Sequence, residues 1–157
     1  MDSEHRKYLA RETLASAVIN ALLSAAVCWL VFGRGGAGSV DEAKVLAMDF
    51  LPQAFVLSVM SVLVPGLVTR RRLKLGLVAP WQGPSPALPR NLVLRAVVIA
   101  LAATVLGGGA ALLVTLAVWQ GPLSIGAVYG IKVLFGVLLS IPVTRIGLRA
   151  ALAARIG

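Results

Sequence analysis

The sequence predicts an all-α membrane protein, four transmembrane helices in an up-down-up-down bundle that make one integral membrane domain over residues 1–157. Three observations predict it. Hydrophobic residues make up 59% of the chain and charged residues 13%, with a mean hydropathy of +0.91, whereas soluble domains carry about 25% charged residues. The apolar residues gather into four runs, each long enough to cross a hydrocarbon layer of about 30 Å as a helix. Lys and Arg stand at the ends of those runs, mostly at alternate ends, as charges that set topology do.

The net charge of +9 raises the question of nucleic acid, but the basic residues flank apolar runs and no Arg and aromatic platform for stacked bases is present. The expected partner is a bilayer with anionic headgroups, not nucleic acid. Cys28 is the single cysteine, which excludes an internal disulfide and a cysteine-rich metal site. It reads as a small buried hydrophobe. His5 stands alone in a polar segment and is expected to be solvated. No metal or cofactor motif occurs.

The first helix is expected at about 13–33. Its run is longer than the 7 to 15 residues, roughly, of a signal-peptide core, and no small-residue cleavage site follows. Ser16, Asn20 and Ser24 recur every fourth residue beside Ala17, Ala21 and Ala25, a face suited to close packing with shared hydrogen bonds. Asn20 is also a candidate ligand contact. Trp29 is placed as an interfacial anchor. Gly33, Gly35 and Gly38 satisfy G-x-G-x-x-G without the βαβ unit the dinucleotide fingerprint needs.

Ser39 and Glu42 form an S-x-x-E capping box, which starts the second helix at about 40–70. Pro52 and Pro65 remove backbone donors and are expected to bend it as hinges. Asp49 and Gln53 share a face at depths of about 6 and 12 Å. Arg70, Arg71, Arg72 and Lys74 end the helix, where they fix topology and touch headgroups. A proline-rich loop follows, with Trp81 at headgroup level.

Arg90 and Arg95 lead into the third helix, about 92–119. Gly107, Gly108 and Gly109 make a small face for close helix packing and weaken helix propensity by about 1 kcal/mol each. Gln120, Gly121 and Pro122 allow a tight turn, and Pro122 suits the first position of the fourth helix, about 122–143. Gly126 and Gly130 form a G-x-x-x-G packing face. Residues 144–157 read as a basic interfacial tail.

Arg34 and Lys44 are the only basic residues in the loops opposite the termini, so both termini are expected in the cytoplasm and the protein in the plasma (inner) membrane. Helices two and four end alike, in Val68–Thr69–Arg70 and Val143–Thr144–Arg145, which raises a possible pair of parallel-repeat hairpins.

Asp49 and Lys132 are the ionisable groups clearly inside the apolar spans. Each costs about 2.5 to 3.5 kcal/mol at a helix centre. Lys132 lies about 15 Å below Pro122, and its side chain leans outward toward the level of Asp49 and Gln53. The expected site is therefore Asp49, Gln53, Lys132 and Asn20. Transport or permeation of a small solute or ion by a homo-oligomer is one reading, an accessory subunit of a larger membrane complex the other. A purely structural salt bridge also fits. Enzymatic action has little support: there is no Ser with a His base and no H-E-x-x-H.

Overall fold

Periodic apolar faces, rather than the ends of the apolar runs, decide where the helices stop. A computed structural model of the chain describes residues 3–32, 39–40, 43–83, 87–119 and 121–153. The glycines at 33, 35 and 38, with Arg34, Glu42, Pro84, Pro86, Gln120 and the end of the tail, Arg155 included, lie outside the described residues. Helix α1 spans Ser3–Phe32, beginning well before the predicted start at residue 13. Its buried positions His5, Leu9, Thr13, Ser16, Asn20, Ser24 and Cys28 recur every three or four residues, so one stripe continues into the charged segment. Arg6, Lys7 and Arg11 point away from that stripe.

Helix α2, Ala43–Lys74, runs through Pro52 and Pro65 as one helix. It ends where the Gly76 N–H reaches the Leu73 carbonyl at 3.1 Å and the Leu77 N–H reaches the Arg72 carbonyl at 2.9 Å. Gly76 has φ of 69°, a conformation that glycine adopts without the clash a Cβ would bring. The capping box expected of Ser39 and Glu42 lies outside what the structure describes, since Glu42 and the Ser39 side chain are not among the described parts; the Ser39 backbone belongs to a strand. With Val40 it forms strand β1, antiparallel to β2 (Leu123–Ser124), with Ser39 opposite Ser124.

The third span starts at Asn91, whose side chain accepts from the N–H groups of Val93 and Leu94. It comprises α3 (Leu92–Ala103), a π-helical turn (Thr104–Gly108) and α4 (Gly109–Val118). A Cβ on Gly108 would lie 3.2 Å from the Ala54 Cβ and 3.3 Å from the Phe50 carbonyl, and one on Gly107 would meet Leu139. Both glycines therefore mark close approach, whereas Gly109 faces open space. The turn widens where the glycine run offers no side chains to resist it.

Helix α5 spans Ile125–Leu152. The Ser124 hydroxyl caps it by accepting from the Ala127 N–H at 3.3 Å, so the start falls after β2 and not at Pro122. The helix passes Pro142 and takes in most of the segment predicted as an interfacial tail. Thr144, Gly147, Leu148, Ala151 and Leu152 are buried on it, because small and apolar residues there repeat at helical spacing. Gly147 sits against Val62, while a Cβ on Gly126 or Gly130 would meet nothing within 4 Å among the described residues.

Three buried clusters hold the helices together. Cys28, Leu46, Phe50, Leu123 and Val128 join α1, α2 and α5 at one end. Leu9, Leu73, Leu148 and Leu152 join the same helices at the other, with Tyr8, Val78 and Trp81 against them. Val62, Leu92, Ala96, Ile99 and Val143 bind the third span to α2 and α5. The loop after α2 folds back over the second of these ends, where the Trp81 N–H donates to the Leu152 carbonyl at 3.0 Å. His5 is accordingly not solvated: it is 8% exposed, hydrogen-bonded to the Ala79 carbonyl at 3.0 Å and set edgewise against Trp81. By length and composition, Ser3–Leu30, Leu46–Lys74, Leu92–Val118 and Ile125–Leu152 can each cross a membrane.

Candidate functional site

Lys132 stands on the buried face of α5, one turn after Val128 and one turn before Gly136. Asp49 and Gln53 stand one turn apart on α2. Because Val128 and Phe50 share a cluster with Cys28, the two polar stretches meet beside α1. The Lys132 side chain is 1% exposed, and its Nζ forms an ion pair with Asp49 Oδ2. Nζ also donates to Gln53 Oε1 at 3.1 Å.

Gln53 holds the centre of the arrangement. Its Nε2 donates to Ser24 Oγ on α1 at 3.2 Å and to the Lys132 carbonyl at 3.3 Å. The amide thus presents its oxygen to the ammonium and its nitrogen to two acceptors, so that partners on α1 and α5 satisfy a buried polar group of α2. Nζ lies 4.9 Å from the centroid of the Phe50 ring, a favourable placement of a cation on an aromatic face. Phe50 in turn packs edgewise on Phe135.

The two charges differ in access. Asp49 keeps 26% of its side chain exposed, against 1% for Lys132. The carboxylate is therefore the open side of the pair and the ammonium the closed side. Among the described residues no three His, Cys, Asp or Glu side chains gather to hold a metal ion.

Asn20 does not join the pair. Its Nδ2 donates to Ser61 Oγ at 2.6 Å, one turn before Ser24 on α1. The same seam continues with Thr144 Oγ1 to Ser16 Oγ at 2.8 Å and with Tyr8 to Thr69 at 2.9 Å. It closes on Arg72, which donates to Glu12 at 2.6 Å and lies over the Tyr8 ring. Arg70 donates to the Arg90 carbonyl at 2.9 Å. Of the four basic residues read as headgroup contacts, Arg71 and Lys74 are left exposed.

Sequence reasoning missed two features. Ser24 belongs to a face expected to share hydrogen bonds between helices, but its place in the polar site, as the acceptor for Gln53, is not foreseen. Arg95 reads in the sequence as a flanking charge, yet it is 2% exposed. Its spacing from Leu92, Ala96 and Ile99, all buried on one face of α3, was the available signal.

No known protein family, curated protein or solved structure matches this chain. The class follows from the helices themselves: this is a multi-pass helical membrane protein.

Proposed function

We propose that the protein moves a small solute or ion across the plasma (inner) membrane as a non-catalytic homo-oligomer, with Asp49, Gln53 and Lys132 as its polar site. One observation carries the reading: an ammonium sealed inside the bundle is paired to a carboxylate that remains partly open. An intramembrane acid that alternates between a lysine and a proton or cation is a coupling device of the kind transporters use. In this reading the helices alternate in direction and both termini face the cytoplasm, as the distribution of basic residues implies. In this reading α1 with α2 and the third span with α5 are two parallel-repeat hairpins, in keeping with the matching triplets at Thr69 and Thr144.

Gly126 and Gly130 have open space around them, so their small face is left for a helix from another chain. A second copy fits the transport reading. A different membrane protein would make this chain an accessory subunit, the second reading that the same observation favours.

The test uses proteoliposomes loaded with the pH dye pyranine and a potassium gradient released by valinomycin. Asp49→Asn and Lys132→Ala should each slow proton flux while inserting normally, and the charge swap D49K/K132D should recover part of it. Wild-type flux in both single variants removes the site. A stoichiometric larger complex in mild detergent, with no flux from the protein alone, selects the accessory reading.

A further inference from the structure

Arg95 lies in the first turns of α3, and neither its Nε nor its Nη2 has exposed surface or a hydrogen-bond partner among the described residues. A guanidinium does not shed its charge in a protein, so burial cannot be relieved by deprotonation. Internal counter-charges are already taken: among the described residues Glu4 pairs with Lys7, Glu12 with Arg72 and Asp49 with Lys132. Arg70 of α2 adds a second positive group at the start of the same span, where it donates to the Arg90 carbonyl, and no described anion is paired with either.

Position narrows what the anion is. Leu92 packs against Gly66 of α2, which fixes the start of α3 against the last turns of that helix. A side chain on a helix leans toward its N-terminus, so the Arg95 guanidinium is carried back toward Asn91 and Arg90, at the end of the span. Arg70 reaches the same place from α2, where it holds the Arg90 carbonyl. Nε and Nη2 form one edge of the guanidinium, the edge that grips two oxygens of a tetrahedral or planar oxyanion in parallel.

We propose that Arg95, with Arg70 beside it, forms a phosphate-binding site where α2 ends and α3 begins. Its ligand is the phosphate of an anionic lipid headgroup or a free phosphate. Basic pockets between transmembrane helices at headgroup depth have the chemistry to bind such groups. The site is distant from the Asp49–Lys132 pair and stands or falls independently of transport.

The experiment compares thermal unfolding and native mass spectra of the purified protein in a neutral detergent. One arm adds phosphatidylglycerol, a second phosphatidylcholine, a third inorganic phosphate. Phosphatidylglycerol should raise Tm and remain bound where phosphatidylcholine does neither. Arg95→Met should weaken that binding by about tenfold or more, the loss of one charge-assisted contact. Arg95→Lys, which keeps the charge and loses the fork, should fall between. Arg149→Gln, an exposed arginine on α5, should bind as the wild type does. A Tm shift with inorganic phosphate alone identifies a free phosphate as sufficient; a shift with phosphatidylglycerol only identifies the headgroup. Equal retention of phosphatidylglycerol in wild type and Arg95→Met overturns the site, as does an equal loss in Arg149→Gln or the lack of any response in all three arms. Should Arg95→Met fail to fold, Arg95→Lys and Arg70→Gln carry the same comparison.

Discussion

Lys132 and Asp49 form one ion pair but are not equivalent, because burial is unevenly divided between them. Removing the acid takes the carboxylate from a sealed ammonium, which keeps the Gln53 oxygen and the Phe50 ring beside it. Removing the lysine leaves a carboxylate that still has an open side. Asp49→Leu is therefore expected to cost about 3 kcal/mol, the typical penalty for breaking a buried pair, and Lys132→Met distinctly less. Unfolding in bicelles with increasing SDS measures both, and equal losses would mean that the carboxylate is as enclosed as the ammonium. At this scale the pair was legible, since a charge inside an apolar run is conspicuous. Arg95 and His5 were not. A charge near the start of a run reads as a flank, and a lone histidine gives no hint that a distant loop will cover it.

Among the helices, glycine decides how near two backbones come, and motif spacing alone does not say which glycines do so. The G-x-x-x-G of Gly126 and Gly130 is open among the described residues, whereas Gly136, outside any such pair, lies where α5 crosses α1. A Cβ there would collide with Ser24 Oγ and come to 3.2 Å from Leu57. Gly136→Ala should therefore destabilise the fold by about 1 to 3 kcal/mol, the usual cost of overpacking. Ser24→Ala in the same chain should return part of that loss by clearing the oxygen, although Gln53 then lacks one acceptor. The same unfolding assay reads both variants, and an additive double mutant would show that the two residues do not touch. Element ends followed a similar rule. The Ser124 cap, the Gly76 turn and the Asn91 cap are local chemistry, but the extension of α1 to Ser3 and of α5 to Leu152 depends on faces that meet only after folding.

For the molecule as a whole, the orientation implied by its basic residues is open to direct measurement. In a Cys28→Ala background, single cysteines replacing the exposed Lys44, Arg71 and Arg149 should label differently with an impermeant maleimide. Lys44→Cys should react in intact cells, Arg71→Cys and Arg149→Cys only after permeabilisation. Labelling of Arg71→Cys from outside would reverse the assignment.

By itself the sequence determined that this is a helical membrane protein with four apolar spans. In lipid each backbone must satisfy its own hydrogen bonds, so a long apolar run has one solution and needs no partner to define it. It also placed an acid, an amide and a lysine inside those spans. Only the tertiary structure decided that Gln53 bridges Lys132 to Ser24, that Asn20 belongs to Ser61, and that Arg95 is buried where α3 begins. Those outcomes depend on which faces of α1, α2, α3 and α5 turn toward one another, and helix rotation is set by packing summed over many side chains.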